Sequence, residues 1–236
     1  MFINYAHRGA SEYAPENTMV SFDLGIKMEA NGIETDVQRT LDGEMVLFHN
    51  RTLDGRCNGT GKIADYTLAQ LKEMDFGSWK DAKYAGEKIV TLEEFAEKYF
   101  HLDLTFAIEL KESDCEEKTL EIVKRYNAMD KVYISSFHFE FLEKMRSLDK
   151  DIRLSWLVFD PINKNNCDRL LSIGGTQICP QTEITEKNHV EFAKSMGLEV
   201  RLWGTSTIEL MKKACTLDVE GTTINFPDKL KEYLDK

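Results

Sequence analysis

Short runs of alternating or β-branched apolar residues recur along the chain, and between most of them lie stretches whose apolar positions repeat at helical spacing. The strand-like runs are residues 2–6, 33–37, 45–49, 104–110, 132–137, 152–158, 176–179, 199–203 and 222–226. The helical patterns cover 18–30, 115–127, 140–148, 163–173, 186–196 and 208–217, with 229–234 closing the chain. Strand and helix in alternation predict a parallel sheet covered by helices, because a parallel crossover needs a long connection. So many repeats predict an α/β fold of the TIM (β/α)8 barrel type.

Two stretches break the rhythm. Residues 38–44 are too few for a helix and contain Asp42-Gly43, a hairpin-turn signal. A hairpin centred there sets Glu34 and Asp36 opposite His49 and Leu47; a non-helical crossover instead brings both strand ends to one rim. Residues 51–103 far exceed an ordinary βα loop. They carry helical patterns at 68–74 and 92–99, the second opening on a Thr91…Glu94 capping box. We read them as a small helical insertion after the third strand, capping one end of a single barrel domain that spans residues 1–236.

Composition narrows the function. The chain has 236 residues, 42% hydrophobic and 30% charged, a normal size for one barrel. A net charge of −11 repels polyanions, so no nucleic acid partner is expected, and an anionic substrate needs a metal ion or convergent cations. No export signal or run of about 18 apolar residues is present, so no membrane span is expected. Five scattered cysteines, with no C-x-x-C pair, fit a reducing, cytoplasmic setting without disulfides or zinc.

In a parallel barrel, residues that end the strands line one rim, where catalytic groups gather. Here those positions hold His7 and Arg8, Glu34 and Asp36, His49, Glu109 and Lys111, and Trp203. Glu34 and Asp36 stand two apart, as do Glu109 and Lys111, so each strand aims both members of its pair to one face. A Glu-x-Asp on a strand is ordinarily a solvated face or half of an ion pair, and a lone histidine is ordinarily a core residue. The set reads differently. Three carboxylates at one mouth repel unless a hard divalent cation sits between them. With two histidines for acid and base, and a guanidinium and an ammonium for phosphate, they describe a site that cleaves a phosphate ester bond.

The sequence resembles the glycerophosphodiester phosphodiesterase family in its bacterial cytoplasmic branch. The matching segments are His7-Arg8-Gly9 with Ala14-Pro15-Glu16-Asn17-Thr18, Ile33-Glu34-Thr35-Asp36-Val37, Val46-Leu47-Phe48-His49, Asn58-Gly59-Thr60-Gly61, Gly77-Ser78-Trp79, Ile108-Glu109-Leu110-Lys111, Ser135-Ser136-Phe137 and the run from Gly221 to Asp228. The resemblance implies a TIM barrel that releases sn-glycerol 3-phosphate and an alcohol, in lipid and glycerol metabolism. It implies His7 and His49 as the acid/base pair. Glu34, Asp36 and Glu109 would be ligands of one divalent cation, Mg2+ or Ca2+, and Arg8, Lys111 and Trp203 substrate contacts. Two departures stand out: Asn50 follows the second histidine where the family usually has Asp, and Trp203-Gly204-Thr205-Ser206 replaces a Trp-Thr-Val-Asn type of segment. Glu16 is expected to brace Arg8, Asn17 to cap the first helix, and the 58–61 loop to be either a phosphate cradle or a plain turn. The alternatives are a phospholipase D-like enzyme on the same barrel and a catalytically silent barrel that binds a phosphorylated ligand.

Overall fold

The computed structural model describes residues 2–236. Eight parallel strands close into a barrel in the order β1 (Ile3–His7), β2 (Gly32–Arg39), β4 (Thr105–Leu110), β5 (Val132–Ser136), β6 (Arg153–Val158), β7 (Gln177–Pro180), β8 (Glu199–Thr205) and β9 (Gly221–Ile224), and β9 pairs back onto β1. The ninth strand, β3 (Met45–Leu47), lies antiparallel on β2 outside the ring. Helices α1 (Met19–Lys27), α2 (Leu68–Glu73), α3 (Leu92–Tyr99), α4 (Glu116–Arg125), α5 (Phe139–Leu148), α6 (Lys164–Ser172), α7 (Lys187–Ser195), α8 (Ile208–Thr216) and α9 (Pro227–Leu234) follow in chain order. The TIM-barrel expectation is met.

Strand periodicity explains why the core lies between sheet and helices. Ile33 and Val37 on β2, Phe106, Ile108 and Leu110 on β4, and Val132 and Ile134 on β5 pack outward against α3, α4 and α5 in one apolar cluster. The alternate positions, among them Glu34, Asp36, Glu109 and Ser135, therefore face the lumen and its rim. Phe95 of α3 is fully buried, with ring centroids of Phe22, Tyr99, Phe100 and Phe106 within 4.8–5.8 Å. Replacing Phe95 by alanine is expected to cost about 3–5 kcal/mol, from lost burial and the cavity left behind, measured by urea denaturation.

The 51–103 stretch carries α2 and α3, and α3 opens on the expected box: Thr91 Oγ1 accepts from Glu94 N at 3.0 Å while Glu94 Oε2 accepts from Thr91 N at 2.8 Å. A separate small apolar cluster joins Val46, Phe48, Leu53, Ile63, Leu71, Phe76 and Ile89.

Two local expectations need correction. The β2–β3 hairpin forms, but it pairs Val37 with Leu47 and Arg39 with Met45, so the register differs by one residue from the expected one. The reason is the loop: Gly43 N donates to Thr40 O, Thr40 N donates to Glu44 O, and Gly43 sits at φ +85°. Leu41-Asp42-Gly43 is thus a three-residue loop with a left-handed glycine, which moves every facing pair by one. The second correction concerns α1, whose cap is Thr18, accepting from Ser21 N at 3.4 Å. The Asn17 side chain is engaged at the barrel rim instead.

Candidate active site

The rim at the carboxyl ends of the strands gathers the residues singled out by position. Parallel pairing sets His7 beside Glu34 and Asp36 beside Glu109. Because β3 is displaced from the ring, β2 pairs directly with β4. That neighbour relation brings three carboxylates together: Glu34, Asp36 and Glu109 offer oxygens that all lie within 4.8 Å of one another. All three side chains are buried.

Cations bracket this cluster. Arg8 Nε lies 3.1 Å from Asp36 Oδ2, and its Nη1 lies 3.4 Å from Glu16, so Glu16 braces Arg8 as expected. Lys111 Nζ lies 2.7 Å from Glu109 Oε1 and 3.7 Å from Asp36 Oδ1. Asn17 Nδ2 donates to Asp36 Oδ2 at 3.0 Å, and Asn17 Oδ1 accepts from Thr35 at 2.8 Å. Both Arg8 and Asn17 take left-handed backbone at φ 56°, with Gly9 at φ 83° between them in sequence. This geometry costs energy for non-glycine residues and persists only where surrounding bonds enforce it. Asn17 N donates to Arg8 O at 3.0 Å, and Ser21 Oγ donates to the same oxygen at 2.8 Å.

Burial opposes the charge on Asp36, but Arg8, His49 and Lys111 overcome it and hold the carboxyl well below its ordinary range. Burial and the neighbouring Asp36 charge push Glu109 up to about 7 and raise Glu34 well above its ordinary value. Arg8 and Lys111, with the buried Arg201 acting on Glu34 from inside the barrel, offset part of this repulsion without meeting every carboxylate oxygen. Glu34 Oε2 and Asp36 Oδ1 are buried without any hydrogen-bond donor. Unsatisfied buried carboxylate oxygens beside a third carboxylate are the donor set a hard divalent cation takes. The residues fit such an ion.

Two imidazoles flank the cluster. His7 Nδ1 donates to Asn225 Oδ1 at 2.6 Å, which leaves Nε2 as the acceptor nitrogen, 3.8 Å from Glu34 Oε2. Burial, then the Arg8 charge, lower the His7 imidazole to about 3. His49 stands just beyond β3, and its Nδ1 donates to Asn50 Oδ1 at 3.0 Å. Asn50 therefore keeps an acceptor on His49 without adding a charge. Burial also lowers His49, partly offset by Asp36. Beside His49 opens a cavity of about 860 Å3, lined by Glu109, Lys111, Asn50, Arg51, Phe137 and Phe159, among others.

Trp203 sits at a bulge of β8, where Gly204 takes φ +73°. Its ring stands edge-on to Phe137 at 5.1 Å and to Phe159 at 5.5 Å, and those two rings stack at 4.5 Å. The departure at residues 203–206 thus coincides with an aromatic wall. In the 58–61 loop both glycine amides are taken by neighbouring residues, Gly61 N donating to Asp54 Oδ2 and Gly59 N to Cys57 Sγ, and Asn58 Oδ1 accepts from Asp75 N.

Two site residues were missed from sequence. Asn225 directly follows the last strand, β9, at the same rim as the other residues that follow strands. Arg201, buried in β8, donates to Gln177 Oε1 at 3.1 Å and places its guanidinium 5.3 Å from the Tyr5 ring centroid. An arginine inside a strand carries no such signal.

The comparisons with known proteins agree with this geometry. The sequence profile of the glycerophosphoryl diester phosphodiesterase family matches residues 7–229. The chain is 31% identical to the glycerophosphodiester phosphodiesterase of Caldanaerobacter subterraneus over 98% of this chain and 97% of that one. It is 31% identical to the Bacillus subtilis enzyme of the same name over 96% and 84%, respectively. Among solved structures, an Oleispira antarctica phosphodiesterase in complex with the product sn-glycerol-3-phosphate superposes with a TM-score of 0.91, at 28% identity over 99% of this chain and 97% of that one. A glycerophosphodiester phosphodiesterase of Agrobacterium tumefaciens gives 0.89 at 25% identity, covering 98% and 100%. With the barrel, the carboxylate cluster and a profile match over nearly the whole length in hand, the chain belongs to the glycerophosphoryl diester phosphodiesterase family and is an enzyme of that class.

Proposed function

We propose that the protein hydrolyses glycerophosphodiesters to sn-glycerol 3-phosphate and an alcohol in a metal-assisted, two-histidine reaction. The observation that carries this reading is the pair of imidazoles flanking three buried carboxylates that offer oxygens within 4.8 Å of one another, with Glu34 Oε2 and Asp36 Oδ1 buried without a hydrogen-bond donor. Glu34, Asp36 and Glu109 would hold one divalent cation, Mg2+ or Ca2+, which when bound supplies Lewis-acid polarisation of the phosphoryl group. Arg8 presents a planar fork of donors to the phosphate and Lys111 a point charge, a local cationic pair in a chain of net charge −11. His7, neutral and oriented by Asn225, takes the proton of the attacking oxygen through Nε2. His49 faces the cavity of about 860 Å3, the space open to a leaving alcohol; with its Nδ1 proton held on Asn50, it acts as the imidazolium and delivers the Nε2 proton to that alcohol. Trp203, with Phe137 and Phe159, forms the apolar wall against which the substrate rests.

The substrate is a small molecule, and neither nucleic acid nor a membrane span enters this reading. No helix among the described residues is long and apolar enough to cross a membrane. All five cysteines are free, in keeping with a reducing cytoplasm. We take residues 1–236 as one barrel domain carrying 51–103 as its insertion.

Release of sn-glycerol 3-phosphate from glycerophosphocholine and glycerophosphoethanolamine, followed with Mg2+, with Ca2+ and with EDTA, tests the proposal. Turnover is expected with a divalent cation and is lost in EDTA. The same cation should raise the melting temperature, by the linkage that gives about 2.7 kcal/mol at a hundredfold excess over Kd. Turnover that persists in EDTA would sink the metal-assisted mechanism.

A further inference from the structure

Residues 75–88, within the insertion, close on themselves as a strap. Phe76 N donates to Glu87 O at 2.8 Å. The Asp75 carboxylate accepts from the backbone amides of Gly77, Ser78 and Gly86 at 2.8, 3.0 and 3.1 Å, and from the Ser78 hydroxyl. At Gly77 the two limbs approach so closely that a Cβ would stand 1.8 Å from Tyr84 O. Trp79 Nε1 donates to Phe76 O at 2.8 Å, and the Arg56 guanidinium lies 4.2 Å from the Trp79 ring centroid. The strap is a stiff, internally bonded unit.

From it two half-buried side chains reach the loop between β1 and α1. Lys80 Nζ donates to Ser11 O, and the Tyr84 hydroxyl donates to Tyr13 O, both at 2.8 Å. On its other side the barrel grips the same segment: Glu12 N donates to Asn225 O at 3.0 Å, and the Tyr13 hydroxyl donates to Asp228 Oδ1 at 2.8 Å. The loop so held begins with His7 and Arg8 and includes three left-handed residues, Arg8, Gly9 and Asn17. Its backbone is turned locally, with Tyr13 N and Ala14 N donating to Ala10 O at 3.0 and 3.1 Å and Ala10 N to Ser21 O at 2.9 Å, while the carbonyls of Ser11 and Tyr13 are held from the insertion.

We propose that Lys80 and Tyr84 are positioning residues. By clamping Ser11 and Tyr13 they hold the strained loop in the one conformation that keeps the Arg8 guanidinium and the His7 imidazole at the reacting phosphate. The insertion then acts on the chemistry through the backbone of a neighbouring loop. This inference rests on the roles proposed above for His7 and Arg8, and its test separates the two.

The test compares the full-length wild type with Lys80→Met/Tyr84→Phe, with Tyr84→Phe alone and with Lys80→Arg. Hydrogen–deuterium exchange of the amides of residues 8–17 is expected to speed up about tenfold in the double variant, with β4 to β6 unchanged. In the same protein, well below its melting temperature, kcat is expected to fall about tenfold, because small misplacements of catalytic groups cost that much or more. Lys80→Arg, which keeps a donor, should retain wild-type kcat. A role confined to stability would lower the melting temperature and leave kcat unchanged, which overturns the positioning role. Loop exchange within twofold of wild type overturns the clamp. If the double variant fails to fold, Tyr84→Phe, which removes one hydroxyl, is read by the same two measures. If the wild type proves inactive on glycerophosphodiesters, that reading fails, and the exchange data still decide whether the clamp exists.

Discussion

Replacing Asp36 by alanine is expected to lower kcat/KM for glycerophosphodiesters by at least about 10^3-fold, since the several kcal/mol that a bound cation lends to the developing charge corresponds to that factor. No other carboxylate of the three is engaged from so many sides: Arg8 Nε at 3.1 Å, Lys111 Nζ at 3.7 Å and Asn17 Nδ2 at 3.0 Å all converge on it. The same variant is expected to lose about 3 kcal/mol of stability, because removing one partner leaves the mostly buried Arg8 charge uncompensated, apart from Glu16. Asp36→Asn separates the two effects. It keeps the shape and an acceptor for Asn17, so it should stay folded at assay temperature while turnover still collapses for want of the charge. Kinetics of glycerol 3-phosphate release, with urea denaturation of the same samples, provide both numbers. Asp36→Asn with more than a tenth of wild-type activity would show that Asp36 is not a required ligand.

The second large effect concerns His49. His49→Ala is expected to cost about 10^2–10^4 in kcat on glycerophosphocholine, whose leaving alcohol needs a proton as its bond breaks. On a glycerophosphodiester of p-nitrophenol, whose leaving group departs without one, the loss should shrink to about tenfold or less. His7→Ala should lose about 10^2–10^4 on both substrates, since the attacking oxygen is the same in each. The contrast follows from position: His49 borders the open cavity, while His7 is fixed by Asn225 with its Nε2 toward the carboxylates. Equal losses for both variants on both substrates would rule out this division of labour. Asn50→Ala should cost less than either, because it removes only the hydrogen bond to His49 Nδ1.

What the sequence determined by itself was local and periodic. Alternation of apolar residues marks the outward faces of β2, β4 and β5, and the same period of two obliges Glu34 with Asp36, and Glu109 with Lys111, to face the rim. The Thr91…Glu94 box is equally local, as both partners lie within one turn of helix. Tertiary structure decided whatever depends on which segments become neighbours. That β2 pairs with β4 and pushes β3 aside, setting Asp36 beside Glu109, is a choice among pairings that all satisfy the same alternation. The three-residue loop 41–43 set the hairpin register, a choice that turn signals alone leave open. Asn17 offered a good helix cap, yet its amide bonds Asp36 and Thr35 while Thr18 caps α1, because a buried carboxylate makes the stronger claim on a donor. His7 meets Asn225 across 218 positions, and Lys80 meets Ser11 across 69. Such contacts leave no periodic trace in the chain, since they arise only when barrel closure and the small apolar cluster joining Val46 and Phe48 to residues 53–89 bring distant backbone within hydrogen-bond reach.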